Sequence, residues 1–349
     1  LFAAREARGM ASTVVLPADH ADQLHGGLAL APFDRSKRGF AGLVRMVRAM
    51  FAAKRQSRPD VIFFHSTFSL LGLLALKVTG DRTPCFYCSH GWAYSRYKPG
   101  TRKARLAQII EGRLCGLAEV VINISMADQR LAMRLGYRGR HQLIENAVLD
   151  AANPGLRARF PKDRLNLLFV GRLDKQKGID LLLEAAAKAH ETRPDLALHV
   201  VGAAVNNDAD GPASYSFVTQ HGWLADGEID AFYRSADALV VPSRWEGFGM
   251  VVPEALRNGT PVLVSTAGAL PDLVDDGKTG FVFELAAGEL VELLQRLDKA
   301  ELAAMRPACR ESYEGRFTVR RYMSEFRDLV DRTTLPGEES VEETSPATG

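Results

Sequence analysis

Short apolar runs alternate along the first half of the chain with segments whose apolar residues recur at helical spacing. STVVLP, RPDVIFFHST, TPCFYCSHG and EVVINIS predict strands, whereas LFAAREARGM, LLGLLALKVTG, RKARLAQIIEGRLCGLA and MADQRLAMRLG predict helices. The strand segments lack strict alternation of apolar and polar residues, as expected for strands that are covered on both faces. The pattern therefore predicts a parallel α/β architecture in which helices connect successive strands.

The same alternation restarts after AANPG at 151–155. LNLLFVGRL, LALHVVG, ALVVPS, TPVLVST and TGFVFE predict a second series of strands, with helices between them and near 289–300 and 318–333. We place the domain junction near Asn146. The N-terminal domain is then 1–146 and the C-terminal domain 147–316; a helix at 317–333 returns to the first domain, and the acidic tail 334–349 is predicted to be disordered. Two Rossmann-like domains in tandem are expected to face a central cleft that binds ligands at the strands' carboxyl ends.

The composition indicates a soluble globular protein, because 46% of the 349 residues are hydrophobic and 25% are charged. No apolar run approaches the ~20 residues of a membrane span, and no signal peptide is visible, so we expect a cytoplasmic location. Residues 1–165 hold 26 Lys and Arg against 12 Asp and Glu, whereas residues 166–349 hold 18 against 30. The basic half predicts an anionic partner, such as a nucleic acid, a phosphate-bearing acceptor or an anionic membrane.

Four cysteines are present, and Cys85 and Cys88 have the C-x-x-C spacing of redox and metal sites. They lie in a predicted strand, where positions three apart point to opposite faces. No second close pair completes a zinc site. We therefore interpret all four cysteines as reduced core residues of a cytoplasmic protein.

The segment GRLDKQKG follows the first strand of the second series and precedes a helix. Gly171 permits a close approach of the backbone to a ligand, Arg172 offers a planar fork of donors, and Lys177 offers a mobile ammonium. The helix N-terminus after Gly178 adds partial positive charge. These features predict a diphosphate site; the alternative is a solvated loop with incidental charges.

The segment RWEGFGMVVPEALRNG contains two carboxylates eight positions apart, Glu246 and Glu254. Pro253 is tolerated only in the first turn of a helix, so the helix begins near Met250 and Glu246 lies in the preceding loop. Glycines in that loop leave backbone N–H groups open to a ligand. Two acids cannot both hold phosphate, but they can accept hydrogen bonds from sugar hydroxyls on either side of a diphosphate. The two motifs together predict a nucleoside diphosphate sugar.

This pair of motifs resembles that of the retaining glycosyltransferases of family 4, which have the GT-B fold and include enzymes of bacterial polysaccharide and lipopolysaccharide synthesis. The flanking stretches SADALVVPS and NGTPVLVSTAGALPDLVDDGKTGFVF are also similar to that family, and the resemblance covers nearly the whole chain. The resemblance implies that Glu254 binds the ribose hydroxyls and that Glu246 lies beside the transferred sugar. The other donor contacts are implied for Gly171, Arg172, Lys177, Phe248 and Gly249.

In the first domain, CSHGWAYSRY resembles the family's strand-end His-Gly, which implies that His90 faces the sugar across the cleft. IFFHSTFSLLG resembles an earlier strand-end His-Ser segment that contains His65; an ordinary strand-end histidine is the alternative for both. The sequence departs from the family in three ways. The family's first strand and Gly-Gly loop are expected to be missing, Ala147 replaces a usual Gly, and Asp272 replaces a usual Glu.

Residues 37–58 predict a basic amphipathic helix. Its apolar face is formed by Phe40, Leu43, Val44, Val47, Met50 and Phe51, and Arg38, Arg45, Arg48 and Arg55 lie elsewhere. Such a helix can lie on an anionic membrane or pack on the sheet as an ordinary surface helix. The loop at 93–105 adds further basic residues at the predicted cleft mouth. We expect a glycan or lipid-linked acceptor and peripheral association with the inner face of the cytoplasmic membrane.

The residues and the resemblance together predict a retaining hexosyltransferase of cell-surface polysaccharide synthesis that uses a UDP- or GDP-sugar. No metal or other cofactor is expected, because basic groups can neutralise the leaving diphosphate; the acidic triplet at 208–210 lies in a polar loop. The predicted catalytic residues are Glu246, His90, Arg172 and Lys177. A nucleotide-sugar epimerase of the same fold and a catalytically silent binding scaffold remain as alternatives. A nucleic-acid partner is disfavoured, since no helix-turn-helix, zinc or aromatic-stacking motif is present.

Overall fold

The computed structural model describes residues 11–23, 28–34, 40–151, 155–204, 215–225, 227–286 and 288–334. Three sequence predictions fall outside these ranges: the helix at 1–10, the acidic triplet at 208–210, and nearly all of the tail 334–349. Among the described residues, no helix is both long enough and apolar enough to cross a bilayer.

The C-terminal domain is built on six parallel strands in the order β12-β11-β10-β7-β8-β9. These strands are β7 (Leu165–Val170), β8 (Leu196–Val201), β9 (Val218–Gly222), β10 (Ala238–Val241), β11 (Val262–Ser265) and β12 (Gly280–Phe283). Every residue of β8, β10 and β11 is buried, because helices cover both faces of the sheet. The predicted parallel α/β fold is confirmed, although the sequence did not predict β9.

The N-terminal domain has a four-stranded parallel sheet in consecutive order and a separate parallel pair, β1 (Thr13–Pro17) with β2 (Ala29–Phe33). The four strands are β3 (Ile62–His65), β4 (Cys85–Cys88), β5 (Val120–Asn123) and β6 (His141–Leu143). The helices of this domain are α1 (Phe40–Ser57), α2 (Leu70–Val78), α3 (Arg102–Leu114) and α4 (Met126–Arg134). Helix α1 packs on the separate strand pair and on α2.

The contacts of α1 decide between its two predicted placements. Met50 and Ala53 are buried, and Val47 and Phe51 pack against the core below them. The Met50 sulfur lies 3.3 Å from the position of a methyl group placed on Gly72 of α2. The described apolar face is therefore covered by protein, so α1 takes the second of the two predicted placements, that of a packed surface helix.

The helices of the C-terminal domain are α5 (Ile179–Thr192), α6 (Glu228–Ser235), α7 (Val251–Arg257), α8 (Glu289–Arg296), α9 (Lys299–Arg316) and α10 (Val319–Thr334). The sequence predictions missed α9 because Pro307 lies inside it, and proline ordinarily ends a helix. Asp298 defines its start, since the carboxylate accepts a hydrogen bond from Glu301 N.

Helix α10 crosses back to the N-terminal sheet. Phe326 stacks on Phe63 of β3 with ring centroids 4.8 Å apart, and Arg321 donates to the Glu145 carbonyl oxygen at 2.5 Å. Just before α10, Val148 N donates to Phe317 O at 2.9 Å, so the two segments that connect the domains run side by side. The domains are thus joined at one place by two adjacent stretches of chain.

Cys85 and Cys88 face opposite sides of β4, as the sequence predicted. Cys85 belongs to the core between the sheet and helices α1 and α2, whereas Cys88 belongs to the core that continues toward the second domain. All four cysteines are unpaired and buried.

Candidate active site

Two loops meet at the carboxyl edge of the C-terminal sheet because the strands that precede them, β7 and β10, are neighbours. The first runs from Gly171 to Gly178 and the second from Pro242 to Met250. Gly178 has a φ of 72°, and a methyl group placed on it would lie 1.9 Å from the Pro242 carbonyl oxygen. Only glycine can occupy this position, so the close approach of the two loops depends on Gly178.

Polar contacts then hold the two loops in one arrangement. Arg244 donates to both carboxylate oxygens of Asp180 on α5, at 2.7 and 2.8 Å, and its backbone N–H donates to Gln176 O at 2.8 Å. The Gln176 amide donates in turn to Trp245 O at 3.3 Å. A bidentate Arg–carboxylate pair fixes orientation as well as distance, so the loops form a preorganised surface.

The Lys177 ammonium donates to Glu246 Oε1, and Ser243 Oγ donates to the same oxygen at 3.0 Å. Glu246 is only 7% exposed, and a buried carboxylate of this kind requires such a cation. The sequence assigned Lys177 to phosphate and Glu246 to a sugar as separate contacts. The structure instead brings them together as one charged unit, and Glu246 Oε2 makes no hydrogen bond with the described residues.

Arg172 lies nearer the mouth of the loops. Its guanidinium donates to Gln176 Oε1 at 2.9 Å and lies 3.1 Å from Asp174 Oδ2, while its side chain stays 44% exposed. Asp174 also accepts from Lys177 N at 2.9 Å, which sets the turn between the two cations. The Gly171 backbone lies close to β8, since a methyl group on Gly202 would be 1.8 Å from Gly171 O.

Glu254 stands in the first turn of α7 and accepts a hydrogen bond from the Tyr233 hydroxyl at 2.8 Å. Burial raises the pKa of the Glu254 carboxyl. Phe248 is buried and packs edge-on against Phe317, with ring centroids 6.2 Å apart. The backbone N–H groups of Phe248 and Gly249 donate no hydrogen bond to the described residues, so they are available to a ligand.

The N-terminal domain presents His65 and His90 opposite these loops, at the ends of neighbouring strands. His65 Nδ1 and His90 Nε2 are 2.9 Å apart. Desolvation by the surrounding protein and the neighbouring ring lower the pKa of His65 to about 4, and desolvation lowers the pKa of His90, although both side chains keep solvent-exposed surface. The His90 turn touches the second loop, because a methyl group on Gly91 would lie 3.5 Å from the Gly247 Cα.

Two buried carboxylates that the sequence predictions missed hold this histidine turn. Glu111 of α3 accepts from the Thr67 hydroxyl at 2.6 Å and from Ala93 N at 2.9 Å, joining the segments that follow β3 and β4. The Trp92 indole donates to the backbone oxygen of Asp128 on α4 at 3.0 Å, and burial of the Asp128 carboxyl beside this turn raises its pKa to about 7. No sequence motif marks either acid, because each acts on groups that lie far from it along the chain.

A further ion pair crosses between the domains beside the site. Arg130 of α4 donates to both carboxylate oxygens of Asp272, at 2.8 and 2.6 Å. Asp272 is one of the positions at which the sequence departs from the family pattern. The shorter acid here reaches a partner on the other domain.

Comparison with known proteins supports the functional class. A family model described as "Glycosyl transferases group 1" matches residues 157–312, and one described as "Glycosyl transferase 4-like domain" matches residues 1–147. The chain is a glycosyltransferase of the GT-B type. The loops that carry Arg172, Lys177 and Glu246 lie within the first of these two matches.

Two protein relatives and one solved structure illustrate the similarity. The glycosyltransferase is 28% identical over 298 residues to an uncharacterized 41.2 kDa protein in the cps region of Klebsiella pneumoniae, covering 82% of each chain. It is 32% identical over 199 residues to a D-inositol 3-phosphate glycosyltransferase of Thermobifida fusca, covering 50% of this chain and 45% of that relative. Anabaena HepE, solved with UDP, has a TM-score of 0.76 at 20% identity and covers 94% of each chain. At that identity HepE shows a shared GT-B fold.

Proposed function

We propose that this glycosyltransferase moves a sugar from a nucleoside diphosphate sugar to a hydroxyl, with retention of anomeric configuration. One observation carries the proposal: two motifs 69 residues apart converge so that the Lys177 ammonium meets the Glu246 carboxylate. Cations and carboxylates side by side match a ligand that has phosphates in its middle and hydroxyl-bearing rings at both ends.

The diphosphate would lie against Arg172, Lys177 and the backbone amides of Phe248 and Gly249. The exposed Arg172 fork can bind two phosphate oxygens, and Lys177 keeps further N–H donors beyond the one used by Glu246. Neither amide donates to an acceptor among the described residues, so no internal partner competes with a phosphate. In HepE the nucleotide is UDP, and that protein has also been solved with UDP-glucose, which makes a uridine donor the first candidate.

The two carboxylates would hold the rings on either side of the diphosphate. Glu246 has a free Oε2 for a hydroxyl of the transferred sugar, and Glu254 has a free Oε1 for the ribose. His90, on the opposite domain, faces the same sugar. An ionised carboxylate can only accept hydrogen bonds, and sugar hydroxyls can donate them, so the two glutamates suit the sugar rings better than the phosphates.

Bond cleavage would be driven by stabilising the departing diphosphate. As the bond from the anomeric carbon to the phosphate oxygen breaks, negative charge grows on that oxygen, and Arg172, Lys177 and the two amides stabilise it. The departing phosphate takes the acceptor's proton, so no separate general base is required. We propose that the reaction needs no metal, because these groups can supply the charge compensation.

Isothermal titration with UDP, GDP, ADP and UDP-glucose tests the donor site. We expect one nucleotide to bind and Arg172→Ala to weaken it about tenfold or more, since a charged hydrogen bond contributes ~1.5–3 kcal/mol. Lys188→Ala is the matched control, because Lys188 is an exposed cation on α5 that pairs only with Glu184. Equal binding by Arg172→Ala and the parent chain would contradict the assignment.

Product analysis separates the remaining alternatives. A transferase forms a glycoside only when an acceptor is present, and NMR of the anomeric proton in the first product tests retention. A nucleotide-sugar epimerase would release a free epimer without an acceptor, and a silent scaffold would bind the donor and yield no product. Formation of an inverted glycoside would refute retention while leaving the donor site intact.

The acceptor side is proposed to be a glycan or lipid-linked hydroxyl met at an anionic membrane. Large apolar side chains are exposed on α3, on α2 and on the turn before it: Phe68, Leu71, Leu74, Val78, Leu106, Ile109 and Ile110. Exposed apolar side chains gathered on neighbouring helices are typical of sites that contact a membrane or another protein. We call these seven residues the α2–α3 face. It replaces α1 as the proposed docking surface.

Charge around the α2–α3 face favours an anionic surface as its partner. Arg102, Lys103, Arg105 and Arg113 surround the apolar residues of α3, and none of the four pairs with an acid among the described residues. The acid of α3, Glu111, points inward and is fully buried. Clustered cations add about 1 kcal/mol each near an anionic leaflet, and the apolar side chains add burial.

Vesicle flotation tests the α2–α3 face. We expect the chain to float with vesicles of mixed phosphatidylglycerol and phosphatidylcholine and to remain unbound with phosphatidylcholine alone. Leu106→Asp with Ile109→Asp should abolish flotation, whereas Trp223→Asp, at a 59% exposed side chain of the other domain, should not. Absence of flotation, or loss in the Trp223 control alone, would refute this docking surface.

A further inference from the structure

Three side chains with soft donor atoms meet at the carboxyl edge of the N-terminal sheet. His65 ends β3 and Cys88 ends β4, and the two residues are direct partners in the parallel register. His90 follows two residues after Cys88. One donor atom from each of the three residues lies within 4.8 Å of the other two.

The ligand types match a zinc-class transition metal. Imidazole nitrogen and thiolate sulfur together are the donors that Zn²⁺, Co²⁺ and their neighbours prefer, whereas Mg²⁺ and Ca²⁺ prefer oxygen. Bonds of about 2.0–2.3 Å in a tetrahedron place donor atoms roughly 3.3–3.8 Å apart. The ring nitrogens at 2.9 Å therefore need to separate by less than about 1 Å to admit an ion.

The surrounding backbone holds the three donors in place. Ser66 N donates to Cys88 O at 3.0 Å, which ties the ends of β3 and β4 together. Ser66 and His90 have φ angles of 74° and 54°, a region that residues with side chains rarely adopt. Cys88 is buried while both histidines are exposed, so an ion can enter from the histidine side and meet the sulfur last.

We propose that His65, Cys88 and His90 form a binding site for a zinc-class metal ion, and that its occupancy inhibits sugar transfer. The inhibitory part rests on the proposed function, because His90 faces the transferred sugar only if the donor binds in the cleft. A metal bond to His90 would withdraw that ring from the sugar and place a cation beside the Gly247 loop. The metal is thus an inhibitor, and transfer itself does not require it.

Titration of the reduced chain with Co²⁺ tests the site without any donor sugar. We expect one equivalent to bind, with a thiolate charge-transfer band in the near ultraviolet and with displacement by Zn²⁺. Cys88→Ser should lose that band. His65→Gln should bind roughly 100-fold more weakly or worse, because loss of an outer-shell partner alone costs 10–100-fold.

Cys85→Ser is the matched control, since Cys85 lies on the same strand, is equally buried and faces the other core. It should bind Co²⁺ like the parent chain. His65→Gln keeps the proposal testable if Cys88→Ser fails to fold, because the His65 side chain is exposed. Absence of Co²⁺ binding by the folded parent chain, or an unchanged band in the His65 and Cys88 variants, would overturn the metal site.

Transfer assays test the inhibitory role separately. Zn²⁺ should inhibit the parent chain and the Cys85→Ser variant but not His65→Gln, which keeps His90. Co²⁺ binding without Zn²⁺ inhibition of an active enzyme would refute the inhibitory role and leave the metal site standing. If the chain transfers no sugar at all, the proposed function fails, while the spectroscopic titration still decides the metal site.

Discussion

The carboxyl edges of the two sheets are organised by different means. At the C-terminal edge, glycines let backbone segments touch, as Gly178 does against Pro242, and ion pairs between neighbouring loops fix the result. At the N-terminal edge, two buried acids from helices, Glu111 and Asp128, hold the histidine turn from behind. One edge is rigid through close packing, whereas the other depends on the ionisation and hydrogen bonding of buried acids.

This difference fits the tasks proposed for the two edges. A diphosphate has one shape and one charge pattern, so donors that are already in place before binding need no reorganisation free energy when it binds. The N-terminal edge is proposed to face a sugar and an acceptor, and its side chains include titratable groups and the proposed metal ligands. We expect steric overlap to disrupt the C-terminal edge and changes in protonation to disrupt the N-terminal edge.

The largest expected effect is a difference in stability loss between alanine substitutions at Gly178 and Gly136, two glycines with similar φ angles and different surroundings. Gly178→Ala at the C-terminal edge should lower the free energy of unfolding by about 3–5 kcal/mol, because the φ of 72° is strained for alanine and the new methyl group overlaps Pro242. Gly136→Ala after α4 has a φ of 67° and open space, so it should cost about 1–2 kcal/mol. Urea unfolding measures both; equal losses would contradict the close-packing account.

The next effect concerns the buried ion pair at the C-terminal edge. Glu246→Gln removes the carboxylate that partners Lys177, so kcat should fall roughly 100-fold or more through loss of charge placement at the sugar. Glu184→Gln breaks the exposed Lys188 pair on α5 and should leave kcat within twofold. Steady-state kinetics with the donor identified by calorimetry give the comparison. If Glu246→Gln kept the kcat of the parent chain, the Lys177–Glu246 pair would have no role in the reaction.

A pH experiment examines the N-terminal edge. The pKa of Asp128 is raised to about 7 by burial, against about 3.9 in an unfolded chain, so the folded state binds the extra proton. The contribution of Asp128 to the unfolding free energy should therefore fall as pH rises from about 4 to about 7, by on the order of 3 kcal/mol, since each pKa unit corresponds to about 1.4 kcal/mol.

Asp128→Asn keeps the shape and removes the ionisation, so the stability of the parent chain relative to this variant should fall across that pH range, whatever the histidines contribute to both chains. Thermal melts of both chains from pH 5 to pH 8 measure the difference. An Asp128→Asn chain with the same pH dependence as the parent chain would show that Asp128 ionises freely in the fold.

The smallest effect is expected for the ion pair that crosses between the edges. Arg130→Ala removes the contact with Asp272, and because the Arg130 side chain is 58% exposed the loss should be at most about 1 kcal/mol. Differential scanning calorimetry at low and high salt measures it, and high salt should shrink the difference. A loss of several kcal/mol would mean that this pair organises the domain contact.

The sequence predicted the C-terminal edge well because its motifs are local. Glycine and proline positions dictate the turns there, so spacing alone placed Arg172, Lys177 and Glu246 at neighbouring loops. The direct contact between Lys177 and Glu246 was not predicted, since side chains 69 positions apart meet only through the order of β7 and β10.

The N-terminal edge was less predictable for the same physical reason. Glu111 binds groups 18 and 44 positions away, and no spacing rule marks such an acid as buried. The amphipathic pattern correctly predicts helix α1, but such a pattern identifies the apolar face and does not show whether protein or membrane covers it. Cys88 was compared with Cys85, its neighbour in sequence, although its neighbours in space are His65 and His90.

The paired connections between the domains have a mechanical consequence. Two stretches of chain that run side by side, bridged from Val148 to Phe317, connect the domains, so any relative motion of the domains must bend both stretches together. A second approach of the two domains lies between Gly91 and Gly247, where no side chain separates the backbones. A methyl group added at Gly247 would lie 3.3 Å from the His90 carbonyl oxygen and so press on the turn of the opposite domain, whereas one added at Gly91 would meet the Gly247 Cα at an ordinary 3.5 Å.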